Sequence, residues 1–288
     1  LAKRYSAKYI VEVRDLWPLS MYEDIKGVIR SIVFSYFESL ERKYYNLADS
    51  IITTVPFAYE YMEEKYGIDR NKVYYIPHGI DIEDFDKNLN LNENVLDKKL
   101  LDILDNYFCV TYTGSLSKSE GLDTFIESAK YLNSIKDIRL VIVGAGSEKE
   151  KLKKIIEENN LANVVMMDKQ PKNTMALTLK KSKILFCGLM ERKAFKYGIS
   201  KNKFYDYMAA EKPIIFASNV RGSLINKANA GITIEPNDPE NLARTIKYLY
   251  NNIDTVGNEY GENGRKYVEQ NHTNQIIAEK FLEVISRS

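Results

Sequence analysis

Residues 107–132 read YFCVTYTGSLSKSEGLDTFIESAKYL, and this stretch decides the fold. YFCVTYTG is a continuous apolar run that ends on Gly114, the pattern of a strand covered on both faces. After a polar turn, Leu122, Phe125, Ile126, Ala129 and Leu132 recur at helical spacing. Working outward, the same unit repeats. IRLVIVGAG (138–146) is the next strand and glycine turn, and SEKEKLKKIIEENN opens on Ser147 as an N-cap, with Glu150 in the capping-box position. VVMMD, KILFCG, KPIIFAS and AGITIEP supply further strands with helical segments between them. In DPENLARTIKYLYNNI, Asp238 is a cap and Pro239 holds the first helical position. Two more helices are expected near residues 260–270 and 275–286. This alternation predicts an α/β fold on a parallel sheet with helices on both faces.

Upstream, a second unit shows a strand at residues 9–13, a helical region at 22–46, the strand SIITTV, the helix FAYEYMEEKYG and the strand KVYYIP. The chain opens almost directly on a strand, so this first unit is expected to be incomplete here. HGIDIEDFDKNLNLNENVLDKK lies between the two units, rich in Asn and Asp, and reads as a linker. The expected division is 1–80, a partial acceptor-side domain; 81–105, the linker; 106–270, a nucleotide-binding Rossmann-like domain; and 271–288, a helix crossing back to the first domain. A net charge of +1 gives no general attraction to nucleic acid. Cys109 and Cys187 sit in apolar runs and read as buried thiols of a cytoplasmic protein. Two histidines and two cysteines, widely spaced, argue against a zinc site, and no apolar run approaches the ~18 residues of a membrane span.

In open α/β sheets ligands bind beyond the carboxyl ends of the strands. That rule selects Gly114, Ser115 and Lys118 after the first strand of the second unit, and Gly144 and Gly146 after the next. GAG alone reads more readily as a plain turn. The stretch YGISKNKFYDYMAAEKPIIFASN (197–219) is more specific. Ser200 or Asn202 caps a helix whose N-terminus has free amides and a partial positive charge. Lys201 and Lys203 add full charges there, which opposes the helix dipole unless an anion arrives. The alternative is a pair of solvated surface lysines.

GISKNKFYDYMAAEKPIIFA resembles the S-x-K-x-x-E-Y-M-A-x-G-K-P-[IV]-I segment of retaining GT-B glycosyltransferases of family 4. TGSLSKSEGLDTFIESAKYL, VEVRDLWPLS, LADSIITTV and VYYIPHGID resemble further family segments in the right order. The RDLWP subgroup builds bacterial O-antigens and capsules and includes N-acetylfucosamine-type transferases. The resemblance implies a GT-B fold, two Rossmann-like domains facing a cleft. It implies a nucleotide-sugar donor, a UDP-sugar, and a glycan or polyprenyl-linked acceptor, with no cofactor and no metal. By the same resemblance Asp15, Lys118 and Lys203 are the catalytic candidates. Gly114, Ser115, Gly144, Gly146, Ser200, Lys201, Asn202, Lys203 and Asp206 would bind the donor, Asp206 at its ribose.

Several positions depart from the family. The first of its two donor glutamates falls on Gly198, with Glu191 as a replacement, and its diphosphate-gripping Arg and Lys fall on Ser115 and Glu120. Lys118, Lys201 and Lys203 are then the substitutes. Glu211 replaces a Gly, and His78 an Asn. A UDP-sugar 2-epimerase of the same fold, or a non-catalytic nucleotide-sugar-binding module, are the other readings. The scarcity of histidines favours the transferase. Residues 22–45 mix apolar side chains with Lys26, Arg30, Arg42 and Lys43. They form either a helical hairpin touching the inner face of the cytoplasmic membrane or a stripe packed on the first domain.

Overall fold

The computed structural model describes residues 2–21, 27 and 29–287. Part of the predicted helical region at 22–46, including Lys26, lies outside them. The first unit runs through helix α1 (Ala2–Tyr5), strand β1 (Ile10–Val13), helix α2 (Ile29–Leu47), strand β2 (Ser50–Thr53), helix α3 (Ala58–Tyr66) and strand β3 (Val73–Tyr75). The strands form a parallel sheet in the order β1-β2-β3, with Ile10 opposite Ser50 and Ile51 opposite Val73. From Ile29 onward α2 is one continuous helix, not a hairpin. Phe34, Tyr45 and Ala48 turn inward, and a second stripe of Ile32, Tyr36, Tyr44 and Leu47 stays exposed.

The stretch read as a linker is largely helical: α4 (Ile82–Leu89) and α5 (Lys98–Asn106). Each starts on an aspartate cap, Asp81 accepting from the Asp84 amide and Asp97 from those of Lys99 and Leu100. Phe85 joins the cluster of Leu179, Tyr205 and Met208, while Leu100, Ile103 and Leu104 pack on Cys109, Val141 and Val143. Both helices are thus fixed to the second unit.

That unit continues β4 (Phe108–Ser115), α6 (Leu122–Ser128), β5 (Ile138–Ala145), α7 (Lys149–Glu158), β6 (Val164–Met167), α8 (Met175–Lys181), β7 (Ile184–Gly188), α9 (Lys203–Ala209), β8 (Ile214–Ala217), α10 (Leu224–Ala228), β9 (Gly231–Ile234), α11 (Pro239–Asn251), α12 (Asn258–Asn271) and α13 (Asn274–Arg287). The parallel sheet has the order β6-β5-β4-β7-β8-β9. The chain order reverses between β4 and β7, so their carboxyl ends frame the place where this architecture holds ligands. Asp238 caps α11 by accepting from the Asn241 amide at 2.9 Å. Ser147 does not cap α7. The Glu148 amide is already bound to the Leu116 carbonyl at 2.9 Å, and the helix starts one residue later than the capping box requires. On α13, Ile277 and Val284 pack against Ile52 and Ile76 of the first unit.

Candidate functional site

The loop leaving β7 brings the start of α9 over the β4–β7 switch point. There, three charged side chains meet. Lys201 Nζ lies 2.8 Å from Glu120 Oε2 and 3.2 Å from the Gly188 carbonyl. Lys203 Nζ lies 2.8 Å from the same Oε2 and 3.0 Å from the Tyr112 hydroxyl. The side chains of Lys201, Lys203 and Glu120 are only 14%, 17% and 12% exposed, so the lysines are not solvated surface residues. Burial raises the Glu120 carboxyl, but the two ammonium groups together outweigh it and hold the group below the usual carboxylate range. The chain therefore supplies the lysines with an anion of its own. One carboxylate against two ammonium groups leaves a single net positive charge. Glu120 belongs to the site although its sequence context marks it only as a departure from a basic family position.

The other predicted residues divide. Gly114 stands directly under Lys203, where a Cβ would come within 2.9 Å of Nζ. Ser115 is exposed, and its carbonyl accepts from the Tyr112 hydroxyl at 2.6 Å. Lys118 is exposed on the same turn, and Glu120 rather than Lys118 points inward to the lysines. Gly144 and Gly146 have a packing reason for being glycine. A Cβ at Gly144 would sit 1.9 Å from the Gly114 carbonyl oxygen, and one at Gly146 2.3 Å from that of Leu116. Backbone fills both places, so close packing of β4 on β5 is by itself a reason for glycine at 144 and 146. Neither Ser200 nor Asn202 caps α9 with its side chain, although Asn202 holds the cap position. The Ser200 Oγ is buried without a hydrogen-bond partner. Gly198 has φ +88°, and a Cβ there would lie 2.9 Å from Pro56 Cδ, so the first unit's approach leaves no room for the family's glutamate. Glu191 lines a different cavity, beside Tyr61 and Lys65. Arg14 pairs with Glu12 at 2.9 Å rather than with Asp15.

Two cavities flank the start of α9. One of about 410 Å³ lies between the units and brings Asp15 and Arg14 of the first together with Glu120, Ser200 and Lys201 of the second. The other, of about 570 Å³, is lined by Asn202 and Asp206 on α9, Lys172 and Asn173 before α8, and Asp84 on α4. Solvent reaches Asp206, yet protein surrounds most of its carboxyl, and that desolvation pushes it up to about 6 against a weaker pull from Lys172. Adjacent residues Lys201 and Asn202 connect the two cavities along the chain.

Two parallel sheets with their helices, and a cleft lined from both units, make this a GT-B-like α/β protein. Residues 96–267 match the family model for glycosyl transferases group 1, and residues 1–84 match that for glycosyltransferase family 4. The chain belongs to the group 1 glycosyltransferases. A curated relative is the capsular polysaccharide biosynthesis glycosyltransferase CapM of Staphylococcus aureus, 26% identical over 213 residues, covering 71% of this chain and 51% of CapM. The chain spans about half the length of the curated relatives it matches. Among solved structures, a glycosyltransferase from Rickettsia africae superimposes with a TM-score of 0.73 at 20% identity, over 99% of this chain and 78% of the other. Anabaena HepE in complex with UDP and glucose gives 0.76 at 13%, over 99% and 73%.

Proposed function

We propose that the chain transfers a hexosyl or N-acetylhexosaminyl group from a UDP-sugar to a glycan or lipid-linked acceptor, with retention at the anomeric carbon, in bacterial surface polysaccharide synthesis. The observation that carries this reading is the pair of cavities meeting at the start of α9. The nucleoside fits the cavity of Asp206 and Asn202, where the carboxylate accepts from ribose hydroxyls. The diphosphate lies at Lys201 and Lys203, and the reacting sugar occupies the interdomain cavity facing Asp15 and the unpartnered Ser200 Oγ. Lysines placed where the leaving diphosphate gains charge stabilise that charge as the bond breaks. Two relatives add support: CapM carries a capsule-synthesis name, and HepE was solved with UDP and glucose.

Calorimetric titration of UDP tests the reading. Lys203→Ala removes a charge-assisted hydrogen bond of about 1.5–3 kcal/mol, a roughly ten- to hundred-fold loss of affinity. Lys203→Arg loses less, and Lys130→Ala, on the exposed side of the β4–α6 unit, serves as control. Unchanged UDP affinity in a normally melting Lys203→Ala protein sinks the assignment.

The same reading places the protein at the inner face of the cytoplasmic membrane. Among the described residues no helix is long and apolar enough to cross it. The exposed stripe of Ile32, Tyr36, Tyr44 and Leu47, beside exposed Arg42 and Lys43, is the surface assigned to anionic lipid. Co-sedimentation with phosphatidylglycerol vesicles, lost in Ile32→Glu/Leu47→Glu, is the expected result; equal sedimentation of the variant rejects the surface.

A further inference from the structure

A third cavity, of about 810 Å³, opens on the far side of Lys201, within the size range of small-molecule sites. Both units build it. Phe57 and Tyr75 come from the first, and Tyr205 and Tyr267 from α9 and α12 of the second. Lys201, Lys227 and Lys280 also line it, and among the described residues no Asp or Glu does. Lys201 is committed to Glu120, and among the described residues Lys280 donates only to the Asn271 carbonyl, at 3.4 Å. The charges of Lys227 and Lys280 are therefore unbalanced within the cavity.

The buried His272 lines the same cavity. Its ring lies 4.9 Å from that of Tyr205 and 5.4 Å from that of Tyr267. Burial pushes its imidazole down to about 4, and Lys280 and Lys227 push the same way, so it is neutral at physiological pH. Burial, then the neighbouring Tyr267 phenol, pushes Tyr75 up to about 12, and Tyr205 is raised by burial and by both neighbours. Tyr75 and Tyr205 therefore stay protonated, and the accessible faces of Tyr75 and Tyr267 suit sugar C–H surfaces. A lining that combines lysine charge with phenol hydroxyls and aromatic faces selects for a ligand that carries both chemistries.

We infer that this cavity binds an anionic saccharide, its acidic group on Lys227 and Lys280 and its rings against Tyr75 and Tyr267. The inference names the acceptor class for the proposed transfer and rests on that reading only in this respect. Lysine acylation read by mass spectrometry tests it, using tetragalacturonate, glucose 6-phosphate, maltotetraose and inorganic pyrophosphate as separate probes. At least one of the two acidic saccharides should slow acylation of Lys227 and Lys280 several-fold, and whichever acts identifies the acid as carboxylate or phosphate. Maltotetraose and pyrophosphate should protect little. No protection by either acidic saccharide overturns the inference, as does equal protection by maltotetraose or by pyrophosphate. Lys227→Gln/Lys280→Gln should weaken binding of the protecting saccharide at least tenfold in calorimetry and leave UDP affinity unchanged. Protection of Lys203 by UDP is read in the same experiment, so failure of the donor site and failure of this cavity are seen separately.

Discussion

Two glutamates largely shielded from solvent, one in each unit, hold opposite kinds of partner. Glu41 on α2 is 6% exposed and accepts from Tyr45 at 2.7 Å, from Tyr61 at 2.9 Å and from the Tyr66 hydroxyl. Glu120 accepts from two lysines. Burial pushes Glu41 up because neutral phenols fill its lone pairs but bring no compensating charge. Glu120 is held down because its donors are cations. The first arrangement fixes α2 against α3 and is complete in itself. The second leaves a net positive charge beside a cavity. Burial of a carboxylate therefore does not mark the functional region; what marks it is a surplus of charge among the donors that neutralise it.

Glu120→Gln should give the largest effect. Two poorly solvated ammonium groups lose their only carboxylate, and breaking such a buried arrangement costs about 3–5 kcal/mol. Denaturant unfolding would show this, and inorganic pyrophosphate should restore stability more in the variant than in the parent. The pH dependence has a defined sign. Glu120 is depressed in the folded state, so its contribution is present above the usual carboxylate pKa and is lost as pH falls through the lower folded value. The variant should lack that acid-side loss. If Glu120→Gln unfolds like the parent, with no pyrophosphate response, the contrast between the two glutamates collapses.

Glu41→Ala should cost less, about 1–3 kcal/mol, because it leaves buried phenols without their acceptor but strands no charge. UDP affinity should not change. Glu41 is raised in the folded state, so its contribution is greatest at pH values where it is protonated and declines as pH rises through the folded pKa. Glu41→Gln should flatten that decline. A Glu41 variant that weakens UDP binding would mean the first unit's polar knot is tied to the site after all.

The repeating strand–turn–helix pattern was legible because strands such as β5 are buried on nearly every residue and so read as unbroken apolar runs. Lys201 and Lys203 were legible for a local reason: cations at a helix start oppose the dipole. Glu120 was not, since its partners lie 81 and 83 residues away and no periodicity links them. Glu41 and Tyr45 are one helical turn apart, but Tyr61 and Tyr66 arrive from α3. The helices within the linker were missed on its Asn and Asp content, although Ile82, Phe85 and Leu89, and Leu100, Ile103 and Leu104, already had helical spacing. The packing reason for Gly144 and Gly146 was not legible, because the closeness of β4 to β5 is a property of the sheet, invisible along either strand.

The smallest effect sharpens the contrast with a third carboxylate, Asp206, which has no ion-pair partner of the Glu120 kind. Desolvation raises it to about 6, so it is mostly ionised at pH 7 and about one-tenth ionised at pH 5. In the proposed complex the ionised form accepts from the ribose, so apparent affinity should fall about tenfold from pH 7 to pH 5, following the ionised fraction. Uridine is the ligand to use, because a phosphate titrating near pH 6 would confuse a measurement with UDP. Asp206→Asn should bind uridine weakly at both pH values, with no slope between them. The same substitution should stabilise the free protein above pH 6, where the raised carboxyl is ionised at a cost, and change it little below pH 4, where the parent group is protonated in both folded and unfolded states. Uridine affinity that is flat in the parent between pH 5 and 7, or a slope that survives in Asp206→Asn, removes Asp206 from the nucleoside cavity and leaves its raised pKa as a consequence of packing between α4, α8 and α9.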